Sequence, residues 1–206
     1  MAIKCAGNSY FVSDMPNLYI ISGCNGAGKT TASYTILPDI LDCREFVNAD
    51  NIAYGISPFN VEGVAIEAGR IMLHRINELL ELKADFAIET TLTTRSYVSL
   101  VQRAKEIGYK VTLLYIWLNS PELAKQRVAE RVRKGGHNIP ADVIERRYYK
   151  GIENFFSLFK PLCHRWIFVD NSSGSNEIIA DGSGEFVNVM ENAQLWANIS
   201  NQSYGT

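Results

Sequence analysis

Apolar positions along the chain alternate between two patterns. Short, nearly continuous runs, "NLYIIS", "DFAIETT", "KVTLLYIWL" and "RWIFVD", read as strands buried on both faces, and "REFVNAD" is a further strand candidate. Between them, apolar residues recur at helical spacing. Val61, Val64, Ala65, Ala68, Met72, Ile76, Leu79 and Leu80 make one face of a long helix over Val61 to Leu82. A second helix spans about Thr94 to Ile107 and is closed by Gly108. Ser120 caps a third, with Pro121 in its first turn, which runs towards Lys134 and stops at Gly135-Gly136. A fourth begins near Pro140 and carries Ile144, Tyr148, Ile152, Phe155, Phe159 and Leu162 on one side. The tail "EIIADGSGEFVNV" predicts a hairpin turned at Asp181-Gly182, followed by a short helix around "AQLWANI", the two covering about residues 177–199. Strands alternating with helices predict an α/β fold with a mainly parallel sheet covered on both faces. No repeat or linker divides the chain, so residues 1–206 are expected to form one domain.

One connection in this pattern carries chemistry. "GCNGAGKT" follows the first strand and opens a helix that Pro38 stops or kinks, the context a GxxxxGK[ST] phosphate loop requires. Its glycines let the backbone wrap an anion. Gly23, Asn25, Gly26, Ala27, Gly28, Lys29, Thr30 and Thr31 are therefore the expected nucleotide-binding residues, with Lys29 reaching the β- and γ-phosphates and the Thr30 hydroxyl facing Mg²⁺. The fold expected is a three-layer P-loop NTPase domain of nucleoside-kinase type with a helical lid. No NKxD-type guanine-reading motif is present, and the strand "LLYIWLN" ends in Asn119 where a motor ATPase normally places an acid. Acids do end other strands, at Asp50 and Glu89. Carboxyl ends of parallel strands flank the ligand crevice, so Asp50 is the candidate general base, and Glu89 can bind acceptor hydroxyls or support the metal.

Basic residues supply the third component. Arg127, Arg131 and Lys134 fall at i, i+4 and i+7, a spacing that is self-repelling unless an anion lies between them. Arg146, Arg147 and Lys150 follow across "KGGHNIP", making a helix–loop–helix lid over about 127–150, with Arg127 and His137 as phosphate or acceptor contacts. His74 and His164 read as structural.

Composition narrows the partners. A formal net charge of −2 over 206 residues argues against nucleic acid as the main partner, and no apolar run approaches the ~20 residues of a membrane span. The amino terminus lacks a signal-peptide pattern, so a cytoplasmic protein is expected. Cys5, Cys24, Cys43 and Cys163 have no metal-ligand spacing and read as reduced thiols, with Cys24 a small filler in the phosphate loop.

The quoted loop, with "FVNADNIA", "FAIETTLTTRS", "RVAERVRKGGHNIP", "RRYYKGIENF" and "VDNSS" in order from about Tyr19 to Ser173, resembles the zeta-toxin-like P-loop kinases, including their stand-alone members. The resemblance implies a phosphotransferase using ATP, with GTP not excluded, and Mg²⁺. In characterised toxin members the acceptor is a sugar hydroxyl of UDP-N-acetylglucosamine, and for this chain the resemblance makes an antitoxin protein a candidate partner. By motif position it implies Lys29 and Thr30 on phosphate and metal, Asp50 as base, Glu89 and Thr90 on the acceptor, and Arg131 and Arg147 on the transferring group. "KGGHNIP" marks the stand-alone branch rather than the toxin prototypes. An antibiotic or metabolite kinase, or a nucleotide-responsive binding protein without transfer activity, shares these features.

Overall fold

The computed structural model describes residues 15–203. Five parallel strands form its centre: β1 (Asn17–Ser22), β2 (Glu45–Val47), β3 (Phe86–Thr90), β4 (Lys110–Trp117) and β5 (Arg165–Asp170), in the order β2-β3-β1-β4-β5. β6 (Glu177–Ser183) and β7 (Phe186–Met190) extend the β5 edge antiparallel. The connections β1→β2 and β2→β3 cross the sheet in opposite directions, so right-handed crossovers put their helices on opposite faces. This is why the central strands read as continuous apolar runs: Leu18, Ile20, Phe86, Ala87, Ile88, Val111 and Leu113 are all completely buried.

The helices are α1 (Lys29–Asp39), α2 (Ala49–Ile56), α3 (Ala65–Glu81), α4 (Ser96–Glu106), α5 (Pro121–Arg133), α6 (Ala141–Asn154) and α7 (Ala193–Ser203). Three local expectations need correction. The long helix begins at Ala65, because Glu62–Val64 forms a separate 3₁₀ turn. The second strand ends at Val47; Asn48 then caps α2, which the apolar pattern alone did not reveal. The terminal hairpin turns at Gly184, not at Asp181-Gly182. Gly182 stays in β6 because a Cβ there would lie 2.3 Å from the Trp166 ring and 2.0 Å from the Phe186 carbonyl oxygen. Its missing side chain serves close packing rather than a turn.

The aromatic seam under this hairpin closes the core. A π-helical turn, Phe155–Phe159, continues α6 and places Phe155 against Tyr115, Phe168 and Trp196. Trp196 of α7 stacks on Trp166 with centroids 5.4 Å apart. Trp196→Ala should cost about 3–5 kcal/mol, the usual range for a buried aromatic truncated to alanine, and chemical denaturation monitored by circular dichroism measures it. Cys24, Cys43 and Cys163 are free and buried, and burial pushes the Cys24 thiol up to about 11. A thiol so protonated at neutral pH is a packing group, as read for Cys24. Cys5 lies outside the described residues.

Candidate active site

Strand register brings the phosphate loop and the acidic strand end together. Ser22, the last residue of β1, pairs with Thr90, and Ile21 pairs with Glu89. The chain leaving β1 is compressed against its neighbours. Gly23, at φ 138°, would place a Cβ 2.1 Å from the Ile116 carbonyl oxygen, so only glycine fits. Gly28 is the N-cap of α1 at φ 89° and provides no side-chain cap. The amides of the first turn of α1 are thus left for an anion, with the positive end of the helix dipole behind them.

Glu89 is the hub of the side chains around this loop. It accepts from Thr30 Oγ1 at 2.8 Å and from Asn48 Nδ2 at 2.7 Å, and lies 3.7 Å from Lys29 Nζ. Lys29 is 7% exposed and donates to the Cys24 carbonyl at 2.9 Å. Asp50 is not at a strand end: it occupies the first turn of α2, exposed, where its charge complements the helix dipole. Thr30 and Glu89 offer hard oxygen donors side by side. Among the described residues no three His, Cys, Asp or Glu side chains could hold a metal by themselves. That donor set fits Mg²⁺, which typically takes one or two protein oxygens and completes its shell with phosphate oxygens and water.

Two cavities meet at these residues. One, of about 440 Å³, lies between the phosphate loop and the lid and is lined by Arg127, Arg131 and Lys134, as their helical spacing predicts. The other, of about 350 Å³, lies between α2 and the segment after β3 and is lined by Thr90, Thr91, Thr93, Thr94 and Ser96. Asn25, Lys29, Asp50 and Glu89 line both. The segment beyond Thr90 is held in a strained turn: Leu92 is completely buried at φ 55°, a region disfavoured for a bulky residue. Its N–H donates to Thr90 Oγ1 at 3.1 Å, and its carbonyl accepts from Asn154 Nδ2 at 2.6 Å. Asn154 and Gly151 thereby fix the far end of α6 on this segment; a Cβ at Gly151 would lie 2.8 Å from the Thr91 carbonyl oxygen.

The lid arginines occupy different positions. Arg147 Nη1 donates to Asn25 Oδ1 in the phosphate loop at 3.1 Å. Arg131 Nη2 donates to the His137 carbonyl at 2.7 Å, while its Nε is buried with no hydrogen-bond partner. Arg127 Nη2 donates to the carbonyls of Asn171 and Ser172, tying α5 to the end of β5. Arg146 is exposed, and Lys150 pairs with Glu153 at 2.8 Å. His137 lines a separate cavity of about 230 Å³ with Tyr54, Pro58 and Phe59. His74 is exposed beside Glu78, whereas His164 accepts from the Val111 N–H through Nδ1, and burial lowers its basicity. Two residues of the site escaped the sequence reading. Asn48 carries the standard signal of a helix N-cap; Asn171, whose Nδ2 donates to the Ala27 carbonyl 144 positions away at 2.9 Å, carries none.

Comparisons with known proteins agree with this architecture. A family model described as "Zeta toxin" matches residues 6–181. A Haemophilus influenzae protein, itself uncharacterized, is 33% identical over 126 residues, which cover 61% of this chain and 88% of the relative. A crystal structure of AvrRxo1-ORF1:-ORF2 with ATP superposes at a TM-score of 0.75 and 19% identity, covering 91% of this chain. This chain spans 64% of the length of that one. A structure from the PezAT chromosomal toxin-antitoxin system of Streptococcus pneumoniae superposes at a TM-score of 0.63 and 19% identity, covering 94% of this chain and 89% of the other. At such identities the two structures show a shared fold. No described helix is long and apolar enough to cross a membrane.

Proposed function

The chain belongs to the zeta toxin family, and from that premise we propose that it transfers the γ-phosphate of ATP to a hydroxyl of a small acceptor, with UDP-N-acetylglucosamine the first candidate. The observation that carries the proposal is the junction. Lys29, Asp50 and Glu89 line both the cavity under the basic lid and the cavity lined by the threonines and serine that follow β3. A triphosphate in the first and a hydroxylated molecule in the second would meet at these three side chains.

The residues divide the work as follows. Lys29 and the amides at the start of α1 hold the β- and γ-phosphates. Thr30 and Glu89 would hold Mg²⁺, which when bound neutralises charge on the phosphates. Asp50 accepts the proton of the attacking hydroxyl while the acceptor oxygen bonds to the γ-phosphorus and the bond to the bridging oxygen breaks, releasing ADP. Arg147, already on the phosphate loop, and Arg131, with an uncommitted buried N–H, stabilise charge on the transferring group. Closure of α5 and α6 excludes water, which would otherwise compete with the acceptor.

Arg147→Ala is expected to lower kcat by about 10²–10³-fold with a much smaller change in the acceptor KM, since its contact strengthens only as charge develops. Arg131→Ala should do the same. Steady-state kinetics measure both, and an effect confined to KM would make either one a binding residue. The transfer itself is tested by mass spectrometry after incubation with Mg-ATP and UDP-N-acetylglucosamine. The proposal expects an acceptor heavier by one phosphoryl group. Because PezAT is a toxin-antitoxin system, the proposal extends to an antitoxin partner for this chain, tested by loss of viability on expression and rescue by a neighbouring gene product.

A further inference from the structure

Asn48 is one residue that the reaction scheme above leaves without a task. It is 5% exposed, lies between β2 and α2, and lines the cavity between α2 and the segment after β3. Both ends of its amide are committed. Oδ1 accepts from the Asp50 N–H at 2.8 Å and from the Asn51 N–H at 3.2 Å, which caps α2. With Oδ1 facing two donors, the Nδ2 end must face Glu89, and it donates to Oε2 at 2.7 Å. One planar group therefore joins the Glu89 carboxylate to the backbone of the first turn of α2, the turn that carries Asp50.

We infer that Asn48 is a positioning residue for phosphoryl transfer, fixing the Glu89 carboxylate towards Thr30 and Lys29 while presenting Asp50 in the first turn of α2. The inference rests on the proposed reaction for its kinetic consequence, but not for its structural one. The same Glu89 oxygen accepts from Asn48 and from Thr30. Thr30 and Glu89 are also the side chains whose oxygens fit Mg²⁺. If the Asn48 donor is removed, the carboxylate keeps Thr30 and Lys29 but gains a rotamer turned towards the cavity. The oxygens that should receive the metal are then no longer preorganised.

Capping and positioning can be separated because they use opposite ends of the amide. A serine or threonine hydroxyl caps a helix nearly as well as asparagine, but neither side chain reaches Glu89. Asn48→Ser should therefore retain the cap and a melting temperature close to that of the parent protein. Asn48→Thr, whose branched side chain suits the extended backbone at φ −132°, carries the same expectation and serves if the serine variant folds poorly.

The test is ATP binding by calorimetry with Mg²⁺ and with EDTA, on the parent protein, Asn48→Ser, Glu89→Gln and the double variant. The expected result for Asn48→Ser is a loss of about 10–100-fold in the ratio of the two affinities, the usual cost of removing a partner that orients a metal ligand. Affinity in EDTA should be unchanged. In the double variant the ratio should be no lower than in Glu89→Gln alone, because Asn48 acts through Glu89. Once an acceptor is in hand, kcat should fall in parallel while the acceptor KM holds. An unchanged ratio in Asn48→Ser, or additive losses in the double variant, would overturn the inference. Failure to find any acceptor would count against the proposed reaction and leave this test intact, since its readout needs only ATP and Mg²⁺.

Discussion

Lys29→Ala is expected to abolish measurable phosphoryl transfer, with a loss of at least about 10³-fold, the upper range for removing one preorganised charge-stabilising group. The expectation follows from the position of the ammonium. It is almost wholly buried, 3.7 Å from Glu89 and bonded to the Cys24 carbonyl, so it rests at the centre of the loop with its charge little screened. Truncation removes the cation that would follow the γ-phosphate from ground state to transition state. It also leaves Glu89 without its closest counter-charge, which makes binding of a triphosphate beside it less favourable. Both effects weaken catalysis, so kcat should fall and the ATP KM should rise. Lys29→Met, which keeps the stem and its packing, should lose as much, separating charge from fold. Turnover within a few-fold of the parent in either variant would remove the phosphate loop from the chemistry.

Asp50→Asn should behave differently: about 10²–10⁴-fold slower transfer, the range attributed to a general base, with ATP affinity nearly unchanged. Asp50 is exposed in the first turn of α2, and the hydrogen bonds and ion pair of Lys29 and Thr30 go to Cys24 and Glu89 rather than to it. The amide keeps the size of the carboxylate and sacrifices only the basic oxygen and a helix-dipole contribution of about 0.3–1 kcal/mol. Stability should therefore change little. A binding isotherm beside a turnover measurement checks the pair of expectations. Loss of ATP affinity as large as the loss of rate would place Asp50 in the metal or phosphate shell instead of on the acceptor.

How much of this was legible in the sequence depends on the range of the contacts. The parallel strands β1, β3 and β4 were legible as short, mostly apolar runs, since most of their positions are buried. The spacing of Arg127, Arg131 and Lys134 put the three on one helix face, and all three line one cavity, since helical geometry is local. The strand reading of "REFVNAD" failed at Asn48, where an apolar count cannot see that a side-chain oxygen captures two backbone N–H groups and starts a helix. The turn expected at Asp181-Gly182 lies instead at Gly184, because Gly182 is held in β6 by close packing against Trp166, a contact no local pattern shows. Arg127 was expected on phosphate or acceptor. Its guanidinium does line the phosphate-side cavity, but its hydrogen bonds reach the end of β5, more than 40 positions away, which no local pattern encodes.

The most direct test of the central claim, transfer across the junction with Asp50 as base, is ADP release from Mg-ATP with and without acceptor. Parent protein and Asp50→Asn would be assayed against UDP-N-acetylglucosamine and a panel of simple sugars and polyols. The account predicts release that rises with one acceptor, matches the phosphorylated product in amount, and vanishes in Asp50→Asn while ATP remains bound. Release indifferent to every acceptor, or surviving at the parent rate in Asp50→Asn, would contradict it.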